Sequence, residues 1–277
     1  MKKEEVRKTV RQGYAHIAKS GTSCCAPQKS CCGTTNIATD TSKKIGYTDE
    51  DIQSAPEGAN LGLGCGNPVA MASLKEGEVV LDLGSGAGFD CFLAANKVGK
   101  SGKVIGIDMT PEMVEKAREN ALKGNYKNVE FRLGEIENLP VADNHVDAII
   151  SNCVINLSPD KGRVFQEAFR VLKPGGRLMV SDMVLVSELP DSIKDSAAAY
   201  IGCLAGAIMK DKYIAAIKAA GFKQVNIIDE TSSTNDYAPK DHTAQALAND
   251  SGITQADLKK LGSSVRSLKI HAVKSGK

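Results

Sequence analysis

Cysteine is the residue type most able to do chemistry in this sequence. The 277-residue chain has eight, against four His and no Trp. Three stand in separate contexts: Cys65 in the glycine-rich GANLGLGCGNP (58–68), Cys153 directly after Asn152 in AIISNCVINL (148–157), and Cys203 in YIGCLAGA (200–207). Four more form two pairs, Cys24-Cys25 and Cys31-Cys32, within the Ser/Thr/Gly-rich stretch 20–44. The thiolate is a soft ligand and nucleophile that selects thiophilic ions. The N-terminus, MKKEEVRKTVRQGY, lacks the apolar segment of a secretory signal, so a cytoplasmic location is expected. In a reducing compartment, many thiols favour metal binding or catalysis over structural disulfides. The competing reading for any single cysteine is a small buried hydrophobe. It is the expectation for Cys91, in the helix that follows the glycine loop.

The second chemical signal is LDLGSGAGFD (81–90), with Gly84, Gly86 and Gly88 after an apolar run and Phe89 and Asp90 opening a helix. Glycine permits a sharp turn and close approach of backbone to a ligand. The spacing is neither the G-x-G-x-x-G of a dinucleotide site nor a P-loop, since no G-K-[ST] follows. Asp108 closes the next apolar run, VIGID, where a carboxylate can accept both hydroxyls of an unphosphorylated ribose. A tight turn with a helix cap and no ligand is the bland alternative.

The elements that must position these groups follow from periodicity. Val6, Val10, Tyr14 and Ile17 sit at helical spacing, which predicts an amphipathic helix over 3–18. Residues 20–44 read as a loop or mobile segment, and 58–68 as a second loop. EVVLDLG, VIGID, VEFRLG, VDAIIS and RLMVSD read as five short strands separated by helical stretches such as 110–123 and 160–172. Thr110 is placed as N-cap, with Pro111 at the first helical position. Alternating strands and helices predict an α/β fold with a mostly parallel sheet covered on both faces. Helices over about 192–205 and 210–220, a strand at KQVNIIDE and an edge strand at SLKIHAVK (267–274) complete it. Three regions are expected: an N-terminal helix and Cys-rich segment (1–60), the main domain (61–230) with a helical insert after the fifth strand, and a C-terminal extension (231–277).

The ordered motifs VVLDLGSGAG, VIGIDMT, LGEIENLP and IISNCV resemble those of S-adenosylmethionine-dependent methyltransferases with a Rossmann-like class I sheet. The resemblance implies that Asp82, Gly84, Gly86 and Gly88 face the methionine part of S-adenosylmethionine. It implies that Asp108 holds the ribose, that Met109, Glu135 and Ile136 line the adenine, and that Asn152 lies beside the transferable methyl, with Tyr14 and Gly134 also at the cofactor.

In such a fold Cys65, Cys153 and Cys203 can meet above the carboxyl ends of the strands. Trivalent arsenic takes three sulfurs in a pyramid and keeps a nucleophilic lone pair at its apex. It then needs only alignment with a methyl sulfonium, and no general base. That suits a chain whose histidines, His16, His145, His242 and His271, are scattered. With the cysteines included, residues 45–230 resemble the arsenite methyltransferases. The resemblance implies that Cys65, Cys153 and Cys203 bind arsenite. It also implies that an N-terminal cysteine, Cys25 with Cys24, Cys31 and Cys32 as alternatives, takes part in a disulfide reduced by a thiol system such as thioredoxin or glutathione. A zinc site at C-C-x5-C-C competes for those four, though the spacing is not that of a C-x2-C knuckle.

The net charge of +2, with both signs dispersed, and 4% aromatic residues argue against nucleic acid as a partner. No apolar run reaches 18 residues, so no membrane span is expected. Two other functions stay open: a C- or O-methyltransferase of a small organic molecule, and a thiol protein that binds metalloids without transfer.

Overall fold

The computed structural model describes residues 3–20, 37–194, 196–232 and 254–276. Helix α1 (Lys3–Ser20) leads into α2 (Ile37–Lys44), α3 (Asp49–Ser54) and α4 (Pro68–Met71). Strand β1 (Val79–Leu83) then opens an alternating series: α5 (Phe89–Val98), β2 (Lys103–Asp108), α6 (Pro111–Lys123), β3 (Val129–Leu133), β4 (Val146–Asn152), α7 (Lys161–Val171) and β5 (Leu172–Leu185). The chain closes with α8 (Asp191–Lys194), α9 (Ala197–Ile201), α10 (Lys210–Ala219), β6 (Lys223–Ser232), α11 (Gln255–Ser264) and β7 (Val265–Val273).

The seven strands form one sheet in the order β3-β2-β1-β4-β5-β7-β6. The pairs from β3 to β5 are parallel, and β7 runs antiparallel to both neighbours. Side-chain alternation along each strand splits the apolar residues between two layers. Leu81, Ile105 and Ile149 pack with Phe165, Tyr213 and Ile217 of α7 and α10, while Val80, Val104 and Ile150 pack with Phe92, Val98 and Ala117 of α5 and α6. Burial on both faces is what turns the strands into continuous apolar runs. The result is the expected Rossmann-like sheet.

Three expectations change. Residues 37–44 form a helix rather than part of a loop. The segment 192–205 breaks into α8 and α9, each a single short turn. The last strand is not at the edge: β7 lies between β5 and β6, and β6 is the edge. The alternation of SLKIHAVK reports one face on the core, with Leu268, Ile270 and Ala272 buried. It carries no information about lateral neighbours, which backbone hydrogen bonds decide. Thr110 does occupy the N-cap of α6, but its hydroxyl makes no cap bond.

Candidate active site

The chain runs from β1 outward to β2 and β3, then returns to β4 and β5 on the other side. The carboxyl ends of β1 and β4 therefore flank the switch point, where open α/β sheets bind ligands. A cavity of about 410 Å³ opens there. Its floor is the turn Gly84–Ala87, and its walls include Asp82, Asp90, Asp108 and Asn152. The φ of +69° at Gly84 and contact with Val154 leave no room for a side chain at that turn.

The three aspartates are buried, and none has an ion-pair partner among the described residues. Asp108 accepts from the backbone N–H groups of Thr110 (2.8 Å) and Gly86 (3.0 Å), which ties the glycine turn to the end of β2. Burial raises its carboxyl despite those bonds. Burial pushes Asp90 up to about 6, although Tyr47 and Asn152 donate to it. Burial, with the charge of Asp90, holds Asp82 well above the usual carboxylate range, and Asp82 accepts from the Cys91 thiol at 3.2 Å. Cys91 is thus core, as expected. Such a site favours a ligand that brings positive charge.

Asn152 is the centre of a clamp. Its Oδ1 accepts from the Cys65 N–H (3.0 Å), and its Nδ2 lies within hydrogen-bond distance of the Gly66 carbonyl (2.8 Å), the Tyr47 hydroxyl (2.9 Å) and Asp90 (3.1 Å). The Ser267 hydroxyl of β7 donates to the Cys65 carbonyl at 2.9 Å. The glycines on either side of Cys65 permit this closeness. A Cβ at Gly64 would sit 2.8 Å from the Asn152 amide, and one at Gly66 would strike Ser181. The loop therefore places Cys65 beside Cys153, the next residue after Asn152.

Cys153 and Cys203 both adopt left-handed backbone, with φ of 57° and 63°. For non-glycine residues this costs about 1–2 kcal/mol each, and such strain concentrates at functional sites. Cys153 is held by its N–H to the Ser181 carbonyl (2.8 Å), and its own carbonyl accepts from the Cys203 thiol (2.7 Å). The contacts of the Cys153 thiol with Cys203 and Cys65, and then burial, raise it well above its ordinary value. Cys153 works to lower Cys65, but burial and the neighbouring Asp182 and Cys203 outweigh it. The structure therefore brings together three thiols from the loop before β1, the end of β4 and the turn after α9.

A methyltransferase-domain model matches residues 74–221, just over half the chain. A crystal structure of an arsenic(III) S-adenosylmethionine methyltransferase from Chlamydomonas reinhardtii superposes with a TM-score of 0.61 at 31% identity, covering 88% of this chain and 74% of that one. The chain belongs to the arsenite methyltransferase family. An arsenite methyltransferase of Halobacterium salinarum is 51% identical over 83% of this chain and 61% of its own length. One from Mus musculus is 37% identical over 78% of this chain and 57% of its own. The chain thus spans about three fifths of the length of these curated relatives.

The cofactor of this family is S-adenosylmethionine, and the cleft fits it. Three carboxyl groups without ion-pair partners suit a ligand carrying an ammonium and a sulfonium. The buried Ser85 hydroxyl has no hydrogen-bond partner among the described residues and lines the same cavity. Asp82, Gly84, Gly86, Asp108, Met109, Gly134, Ile136 and Asn152 all line the cleft. Tyr14 joins them from α1, which packs Val6 and Val10 against Leu157 and Cys203.

Two family-implied positions lie elsewhere. The Glu135 carboxylate turns away from the cleft to Arg7 and Arg11, both at 3.3 Å, and Glu137 lines the wall instead. Gly88 caps α5 and packs closely against Phe92 and Phe131. Cys24, Cys25, Cys31 and Cys32 lie outside the described residues. Sequence reasoning missed Tyr47 and Ser267, which act through distant partners and carry no local signature.

Proposed function

We propose that this chain transfers the methyl of S-adenosylmethionine to trivalent arsenic held by Cys65, Cys153 and Cys203. The observation that carries the reading is the convergence of three thiols beside Asn152, at the inner end of a cleft suited to a cationic ligand. Loading exchanges arsenite hydroxyls for thiol sulfurs. Each S–H gives its proton to an arsenite hydroxyl, which leaves as water, and an As–S bond forms with no net charge brought into the pocket.

When bound, S-adenosylmethionine supplies an electrophilic methyl on a sulfonium. The chain's own residues do the rest. Asp108 would hold the ribose hydroxyls, and Asn152, which takes the Cys65 N–H and directly precedes Cys153, would keep both thiols beside the cofactor cleft. The reacting atoms meet by alignment, which suffices for a soft lone pair. The As–C bond forms with the arsenic lone pair as the methyl–sulfur bond breaks, and arsenic is formally oxidised by two electrons. Two thiols becoming a disulfide return those electrons and release two protons, and one As–S bond breaks as arsenic becomes trivalent again with its lone pair restored. We assign that role to a pair that includes one of Cys24, Cys25, Cys31 and Cys32, with regeneration by a small thiol or thioredoxin-type reductant. A reducing compartment such as the cytoplasm suits this cycle. Among the described residues no helix is long and apolar enough to cross a membrane.

The test is incubation of the full chain with arsenite, glutathione and methyl-labelled S-adenosylmethionine, followed by chromatography of the arsenic species. Labelled methylarsenicals are expected. Arsenite bound with no label transferred, or label recovered only in an added organic acceptor, refutes the reading.

A further inference from the structure

The thiol cluster contains a group that the arsenite chemistry leaves idle. Asp182, on β5, is 1% exposed and lies against the thiols of Cys65 and Cys153. Its carboxylate and the sulfurs of Cys65 and Cys153 present donor atoms all within 4.8 Å of one another. The Cys203 thiol is instead engaged with the Cys153 carbonyl. We propose that Cys65, Cys153 and Asp182 form a binding site for a divalent thiophilic cation of the Zn²⁺ type, one that shares two thiols with arsenite but not the third ligand.

The donor chemistry separates the two occupants. Trivalent arsenic has three valences and an open apex, and three sulfurs complete it. Zn²⁺ prefers four tetrahedral donors and accepts sulfur, nitrogen or carboxylate oxygen. With Zn–S bonds of about 2.3 Å, tetrahedral donors lie about 3.8 Å apart. The cluster therefore needs an inward shift of only ~1 Å, leaving one position for water.

Asp182 is built like a supported ligand. Its carboxylate accepts from Asn156 Nδ2 (2.8 Å), the Met183 N–H (2.9 Å) and the Tyr213 hydroxyl (3.0 Å). Three donors fix its plane and leave lone pairs free, as outer-shell partners do around metal ligands. On binding, each thiol releases its proton to solvent and its sulfur lone pair forms the metal bond, with nothing oxidised. Two thiolates, a carboxylate and the dication sum to one negative charge. The half-buried Lys161 lies close enough for its charge to interact with Asp182. A cation there blocks arsenite, because Cys65 and Cys153 are already used.

The proposal goes beyond the arsenite reading and is tested apart from it. The four N-terminal cysteines would also take zinc, so the experiment uses the full chain with Cys24, Cys25, Cys31 and Cys32 replaced by Ser. X-ray absorption of this protein loaded with Zn²⁺ alone should show two sulfur and two lighter neighbours. Three or more sulfurs, no sulfur, or failure to bind zinc overturns the site. By calorimetry, Asp182→Asn should weaken Zn²⁺ by at least about tenfold, the loss that even an outer-shell partner produces, and leave arsenite binding unchanged. Cys203→Ser should do the reverse. Zinc affinity indifferent to Asp182→Asn sinks the proposal. If that variant fails to fold, the absorption measurement on intact Asp182 decides. Arsenite binding that ignores Cys203→Ser would instead remove the arsenite reading, with the zinc result standing.

Discussion

Replacing Asn152 by Ala should weaken arsenite binding without touching a cysteine. The side chain ties the Cys65 loop to the end of β4 through two bonds, from the Cys65 N–H at 3.0 Å and to the Gly66 carbonyl at 2.8 Å. A neutral intramolecular hydrogen bond contributes about 1 kcal/mol net, so losing both removes ~2 kcal/mol of the order that holds Cys65 near Cys153. At about 1.4 kcal/mol per decade, this is up to a 30-fold rise in the arsenite dissociation constant. The Ser267 bond to the Cys65 carbonyl remains and keeps the effect at or below that figure. The chain has no Trp to report binding. Equilibrium dialysis with arsenic counted by mass spectrometry, in the absence of cofactor, is the suitable assay. Ser267→Ala should give a smaller loss, and the double variant a larger loss than either. An arsenite dissociation constant unchanged in Asn152→Ala would refute the argument that this clamp positions Cys65.

Asp108→Ala should lower S-adenosylmethionine affinity by about 1.5–3 kcal/mol, the worth of hydrogen bonds to a charged acceptor. Calorimetry checks this, and unchanged affinity removes the ribose role. Gly84→Ala should destabilise the fold by at least about 2 kcal/mol, combining a left-handed backbone with overpacking against Val154; an unchanged thermal midpoint would count against it. Asp90 has its folded pKa raised to about 6, so the folded state holds more protons there than the unfolded chain. Its contribution is full below about pH 4 and is lost as pH rises to about 6, a change on the order of 3 kcal/mol. Urea unfolding across that range should show a smaller fall in Asp90→Asn than in the parent. Cys203→Ser should impair methylation of inorganic arsenite more than of monomethylarsenite, which has only two valences left for sulfur. Equal loss on both substrates argues for a structural role of Cys203.

Much of this protein was legible one residue at a time. The alternation of apolar runs with helical periods dictated the parallel sheet, because strands buried on both faces must be continuously apolar. The turn Gly84–Gly88 and the strand-end Asp108 announced a ligand site because their spacing reports local backbone geometry. The cysteines announced thiophilic chemistry by residue type alone, and their meeting point followed from the fold they resemble. What the sequence could not carry was lateral and long-range. A period-two pattern states which face of β7 is buried, and only the hydrogen-bonded register puts it between β5 and β6. No spacing relates Asn152 to Gly66, Ser267 to Cys65, or Asp182 to Cys153. Those pairs are joined by loops whose paths depend on packing elsewhere in the chain. Side-chain direction was equally hidden at Glu135, which belongs to a cofactor-lining segment by sequence yet turns to Arg7 and Arg11 because α1 lays those charges alongside it. Local chemistry is written in residue type and spacing, while the partners of a buried polar group are settled by tertiary contact.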